Sequence, residues 1–141
     1  MSAEKAKALG LEVLGTIVAM TSIAIAPNRM PEGPGFAMKK VLQTAQLKVD
    51  DMALIEINEA FAAVPLVSLD VLMDKDRDAA KALYEKTNVN GSAIAIGHPN
   101  TSSGARIMMN LMYELRRRGG GYALGAICGG LAQADACIIK V

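Results

Sequence analysis

The sequence predicts an α/β domain, and three observations carry that prediction. Runs rich in β-branched and small apolar residues alternate with stretches whose apolar residues recur at helical spacing. The last two apolar runs are separated only by residues 129–133, a spacing suited to an antiparallel hairpin. A length of 141 residues and a hydrophobic content of 52% allow one domain with a substantial core and two packed layers. Two independent catalytic domains do not fit.

Residues 2–9 read as a short helix, with Ser2 as cap, Glu4 in the first turn and Gly10 as its stop. Residues 11–26 carry the β-branched run of a strand, with a bend or bulge at Thr21-Ser22. Residues 27–35 hold three prolines and two glycines and read as a connecting loop. Helical spacing over 36–47 leads to a strand over 52–57, in which Glu56 interrupts the apolar run, so either one end or one face of that strand must accommodate charge. Residues 61–73 are almost entirely apolar, and their length favours a buried helix with Pro65 in its first turn. Such a helix needs cover on all sides, from a second sheet layer or from another chain. After a charged turn at 74–78 and a short helix over 79–86, residues 89–96 form a tight loop entering a buried segment. Ile107, Met108, Leu111, Met112 and Leu115 then share one face of a long helix, with Asn100, Ser102 and Ser103 as possible caps. Gly119-Gly120-Gly121 closes it, and strands over 122–128 and 134–141 complete the order β, α, β, α, loop, α, β, β.

Fifteen basic and fourteen acidic side chains leave a net charge of +1, which gives no electrostatic argument for a nucleic-acid partner. Arg116-Arg117-Arg118 sits at a helix end, facing the negative pole of the helix dipole. Two cysteines make no secreted disulfide framework, and one histidine without Cys-x-x-Cys spacing makes no zinc site. Residues 2–7 lack the apolar core of a signal peptide, and no apolar stretch is long enough for membrane insertion. The expectation is a reducing, cytoplasmic setting.

Three segments bring chemistry. Residues 90–99 contain the only histidine, His98, between a glycine and a proline that restrict its backbone. A fixed imidazole can donate to a carbonyl oxygen as negative charge grows on it, and it can equally be a structural loop histidine. Asn58 either orients a water or an oxyanion, or caps the following helix. Glu59 is a general-base candidate, though its place beside Phe61 at a helix start favours a structural carboxylate. Cys128 is either a small buried hydrophobe beside a turn or a thiolate serving as nucleophile or base. Gly129 and Gly130 let backbone N–H groups approach a developing oxyanion.

Together, Asn58-Glu59-Ala60-Phe61, Gly97-His98-Pro99 and Cys128-Gly129-Gly130 resemble the NEAF, GHP and CxG motifs of thiolases, the acyl-CoA C-acyltransferases. Residues 88–95 and Ser103-Gly104-Ala105-Arg106 resemble that family's surroundings of the motifs. The resemblance spans residues 1–141 and corresponds to the C-terminal thiolase domain alone, without the N-terminal domain that bears the nucleophilic cysteine. It implies a βαβαββ core, with the five-layered thiolase architecture completed by a partner domain. It implies that Asn58 holds a catalytic water and, with His98, forms an oxyanion hole. By the same resemblance Cys128 is the acid/base, the Gly130 N–H lines a second oxyanion hole, and Glu59 and Phe61 give structural support. Coenzyme A thioesters are then substrates, with no tightly bound cofactor and no metal.

The implied function is one subunit of a thiolase, cleaving 3-oxoacyl-CoA with CoA or condensing acyl-CoA thioesters. Its partner in a hetero-oligomer is an N-terminal thiolase-domain subunit, and this chain is expected to be inactive alone. The alternatives are a noncatalytic acyl-CoA-binding or scaffold subunit of a thiolase-like complex, or an expressed fragment beginning at Met1. Leu131-Ala132-Gln133-Ala134 replaces a glycine-rich stretch, Asn100-Thr101-Ser102 departs from the usual residues after the histidine, and Ser92 occupies a customary glycine position. Side chains after Gly130 narrow access to an acyl pocket or move the hairpin, which leaves room for an aryl or branched-acyl specialisation.

Overall fold

A computed structural model describes residues 1–141. Helix α1 (Ala3–Ala8) is capped as expected, the Ser2 Oγ accepting the Lys5 N–H at 3.2 Å. Four strands follow in chain order: β1 (Thr16–Ala24), β2 (Met52–Ile57), β3 (Tyr122–Cys128) and β4 (Gln133–Lys140). The remaining helices are α2 (Gly33–Ala45), α3 (Ala63–Leu72), α4 (Arg77–Ala82), α5 (Ala93–Ile96) and α6 (Ser103–Arg118). No helix is long and apolar enough to cross a membrane.

The strands form one mixed sheet in the order β1-β4-β3-β2. The β3–β4 hairpin and the β4–β1 pair are antiparallel, whereas β2 and β3 run parallel. A parallel pair needs a long crossover, and α3 to α6 supply it. The parallel pairing matters for function because it brings the C-terminal ends of β2 and β3, and hence Asn58 and Cys128, to one edge of the sheet.

Both faces are covered over β2, β3 and β4, so β2 is buried along nearly its whole length, whereas β1 leaves Ile17 and Met20 exposed. On one face α2 and α3 pack Met38, Val41, Val64 and Leu69 against Ile55, Ile57, Leu124 and Ile138. On the other, Ile107, Leu111 and Leu115 of α6 meet Leu54, Ala123 and Ile139. Strand alternation therefore turns Ile55 and Ile57 to the α2/α3 side and Leu54 and Glu56 to the α6 side. Helices α2 and α3 touch closely at Gly35, where a Cβ would lie 2.5 Å from the Ser68 carbonyl oxygen.

Several local expectations change. β1 begins at Thr16, and its irregularity falls between Ile17 and Ala19, while Thr21 and Ser22 stay in register with Ala136 and Asp135. The Ser22 hydroxyl donates to the Asp135 carboxylate at 2.5 Å, so this polar pair is accommodated across the ladder without a bulge. The stretch expected to be a loop at 27–35 is a 3₁₀ helix, Pro27–Glu32, running into α2. Its prolines are compatible because Pro27 and Pro34 each lie in the first turn of a helix, where a missing N–H costs nothing, while Pro31 follows a kink at Arg29. Residues 79–86 divide into α4 and a 3₁₀ turn, Tyr84–Lys86. The loop expected over 89–96 ends in the single turn of α5. Helix α3 is not covered on all sides within this chain, since Leu66 is 50% exposed.

Candidate active site

The site is built outward from the end of β2. Glu56, on the α6 face of the strand, is buried and makes an ion pair with Arg106 from the first turn of α6. Asn110 of the same helix donates to Glu56 at 3.4 Å, and the buried Ser92 hydroxyl lies 3.5 Å away. Desolvation pushes the Glu56 carboxyl above its ordinary range, while the Arg106 guanidinium and these hydrogen bonds pull it back. The other guanidinium nitrogen, Nη2, donates to Asn58 Oδ1 at 3.0 Å and to Ser92 Oγ at 3.2 Å.

Asn58 is fully buried, and its backbone N–H donates to the Ala126 carbonyl at 2.9 Å, extending the β2–β3 ladder by one rung. With Oδ1 engaged by Arg106, Nδ2 faces His98 Nε2 at 3.4 Å. His98 follows Gly97, which turns the chain out of α5 with φ of +94°, a conformation L side chains rarely adopt. The other imidazole nitrogen, Nδ1, is 2.6 Å from the buried Ser103 hydroxyl at the start of α6. A neutral ring has two ways to satisfy this geometry. With the proton on Nδ1 it donates to Ser103, and Nε2 accepts from Asn58. With the proton on Nε2, Ser103 donates to Nδ1, and Nε2–H and the Asn58 amide both present donors on the same side.

Glu59 fastens the loop that carries His98. Its carboxylate accepts the Ile94 N–H of α5 at 3.0 Å and lies 3.4 Å from Asn88 Nδ2. Asn88 in turn clamps the Ile57 backbone, accepting its N–H at 2.8 Å and donating to its carbonyl at 3.0 Å. Phe61 stands apart from this network: its side chain is exposed, and its carbonyl accepts the Val64 N–H at the opening of α3.

Cys128 ends β3 at the same sheet edge, half-buried and packed against the core on the α2/α3 side. It makes no hydrogen bond to His98 or Asn58. Burial pushes its thiol above the ordinary value, which keeps it protonated at neutral pH. The following turn is closed by the Gly129 N–H to the Gln133 carbonyl at 2.7 Å and the Ile25 N–H to the Ala132 carbonyl at 3.1 Å. Gly130 opens this turn. Leu131 and Ala132 adopt φ of +56° and +60°, a left-handed conformation costly for non-glycine residues, and the Leu131 side chain projects into solvent.

The structure thus gathers Asn58, His98 and Glu59 into one connected cluster and places Cys128 at the end of the neighbouring strand, with Gly130 in the turn that follows it. Sequence pattern gives no site role to Arg106, Glu56, Ser92 or Asn88 and reads Ser103 only as a helix cap, yet these five residues hold the cluster together. One signal was available: a carboxylate inside an apolar strand needs a buried cation, and Arg106 lies in the motif-like stretch 103–106. No group of three or more His, Cys, Asp or Glu side chains is arranged to hold a metal ion.

Residues 11–141 match the family profile described as thiolase, C-terminal domain. The chain is 43% identical over 140 residues to an acetyl-CoA acetyltransferase of Syntrophomonas wolfei, covering 99% of this chain and 34% of that protein. It is 44% identical over 138 residues to a 3-ketoacyl-CoA thiolase of Marinobacter nauticus, covering 98% and 34% respectively. Among solved structures, the Syntrophomonas wolfei acetyl-CoA acetyltransferase superposes with a TM-score of 0.89 at 38% identity, covering 99% of this chain and 35% of that one. Human mitochondrial 3-ketoacyl-CoA thiolase in complex with CoA superposes at 0.85 and 40% identity, covering 99% and 33%. The chain spans about a third of the length of these relatives. It belongs to the thiolase family, to whose C-terminal domain it corresponds.

Proposed function

We propose that this chain supplies the oxyanion-stabilising and acid/base half of a thiolase site. The reaction is reversible cleavage of 3-oxoacyl-CoA by CoA, or the reverse Claisen condensation of acyl-CoA thioesters. The observation that carries this reading is the pair of Asn58 Nδ2 and His98 Nε2, 3.4 Å apart, with the amide direction fixed behind it. Donors held before the reaction begins stabilise charge on a thioester oxygen without reorganising at the transition state.

The chemistry divides in two. An acyl-enzyme avoids direct reaction between two weakly electrophilic thioesters, and a base forms the carbanion that attacks it. We assign the nucleophilic cysteine to an N-terminal thiolase domain on a partner subunit. In condensation, Cys128 as thiolate removes an α proton from the second acyl-CoA. His98 and a water held by Asn58 take up the enolate charge, and the carbanion attacks the acyl group on the partner cysteine, forming the C–C bond as the thioester C–S bond breaks and that cysteine leaves as thiolate. In thiolysis Cys128 protonates the leaving carbanion and then receives the proton of the incoming CoA thiol. A thiol pushed up by burial suits the donor role. The Gly130 N–H contributes to the second oxyanion hole.

The test compares this chain alone, an N-terminal thiolase domain alone, and the two combined, with CoA consumption followed in the presence of 3-oxoacyl-CoA. Turnover that needs both components supports the proposal. Assembly and partner acylation without turnover would favour the noncatalytic scaffold.

A further inference from the structure

We infer that Arg106, anchored by Glu56, is a positioning residue whose Nη2 dictates which end of the Asn58 amide faces His98. This inference rests on the reading of Asn58 and His98 as the oxyanion-stabilising pair.

The two ends of an asparagine amide are nearly equal in size and opposite in hydrogen-bonding character. With Nδ2 toward His98, the amide donates to the water that meets a developing oxyanion and leaves both of that water's hydrogens free for the charge. With Oδ1 there, it would offer lone pairs and take up one of those hydrogens itself. Packing alone does not choose between these orientations, even for a fully buried residue such as Asn58. Arg106 does. Guanidinium groups only donate, so the 3.0 Å contact from Nη2 to Oδ1 would become N–H against N–H if the amide turned over.

The guanidinium is itself fixed from two sides. Nη1 makes the ion pair with Glu56, and Nη2 is shared with the buried Ser92 hydroxyl at 3.2 Å. Lysine, with one ammonium on a flexible stem, cannot span Glu56 and Asn58 with the same planar fork.

The experiment has a spectroscopic arm on the ¹⁵N-labelled chain alone and a kinetic arm on its assembly with an N-terminal thiolase domain. The variants are Arg106→Lys and, as a control that loosens α6 packing without touching the polar cluster, Leu111→Ala. Arg106→Lys should shift or broaden the Asn58 side-chain amide and His98 ring-nitrogen resonances, whereas Leu111→Ala should leave them in place. In the assembly, Arg106→Lys should lower kcat on the order of 100-fold, the scale of a misplaced catalytic group, with KM changed less than about threefold. Unchanged Asn58 and His98 resonances in Arg106→Lys would overturn the inference, as would equal shifts in Leu111→Ala or an unchanged kcat. Should Arg106→Lys fail to fold, Glu56→Gln frees the guanidinium from its anchor, and the same resonances must move. An inactive wild-type assembly would count against the thiolase reading, and the resonance comparison would still decide the role of Arg106.

Discussion

The close approach of α2 and α3 can be tested by one methyl group. In Gly35→Ala the new Cβ would stand 2.5 Å from the Ser68 carbonyl oxygen, 2.7 Å from Val71 Cβ and 2.9 Å from Val71 Cγ1. The nearest of these atoms belongs to the backbone, so no side-chain rotation relieves the clash and the helices must separate. Overpacking of this kind costs up to about 3 kcal/mol, against a gain of at most about 1 kcal/mol from replacing glycine by alanine in a helix. The expected net loss is roughly 2 kcal/mol, which with a urea m-value of about 2 kcal/mol/M moves the unfolding midpoint down by about 1 M. Gly104→Ala is the counterpart: no atom lies within 4 Å of its Cβ position in α6, and its stability should stay level or rise slightly. A Gly35→Ala midpoint equal to or above that of the wild type, at an unchanged m-value, would refute the packing argument.

Two titration predictions follow from the charged and nucleophilic groups. Arg117 and Arg118 hold the Glu114 carboxyl at about 2, below its ordinary 4.5. Its contribution to stability is therefore fully present above pH 4.5 and lost as pH falls toward 2. Glu114→Gln should be less stable than wild type at neutral pH, with the difference closing across that acid window in urea melts; a gap that stays constant down to pH 2 would contradict the assignment. For Cys128, the raised thiol pKa means slow alkylation by iodoacetamide at pH 7.5 relative to a free cysteine, with a rate that rises steadily with pH and levels off later than that of a free thiol. Peptide-resolved mass spectrometry separates it from Cys137, whose thiol burial pushes up to about 11. Rapid, pH-independent alkylation of Cys128 near neutrality would show a resting thiolate and remove the argument for a protonated acid.

Local pattern was enough to anticipate the alternation of strands and helices, the β3–β4 hairpin and the Ser2 cap, because each depends on nearby residues. Residues 27–35 misled because three prolines and two glycines ordinarily break structure, yet Pro34 falls in the one helical turn that tolerates it. The irregularity in β1 sits at Ile17 and Ala19 because its position is set by pairing with β4, which strand composition does not encode.

The candidate site was legible in its motif residues and not in their support. Asn58 and His98 stand out by their settings, but Arg106 is 48 residues from Asn58, and their hydrogen bond depends on how α6 lies over β2. Glu56 announced the need for a cation without naming it. Motif order also could not show that strand alternation directs Asn58 toward the α6 side while Cys128 packs on the α2/α3 side of the same edge. Leu131 was visible as a departure from a glycine-rich stretch, whereas its left-handed backbone and exposed side chain emerge only once the turn is closed on Gln133 and Ile25.

The central claim is that His98 stabilises charge in a site shared with an N-terminal thiolase domain. Its most direct test measures kcat for 3-oxoacyl-CoA cleavage by the assembled pair carrying wild-type chain or His98→Ala, with assembly and partner acylation monitored in parallel. Loss of one oxyanion donor should lower kcat by about 10²–10³-fold while the pair still assembles. An assembled, acylated pair that turns over equally fast without the imidazole would contradict the account.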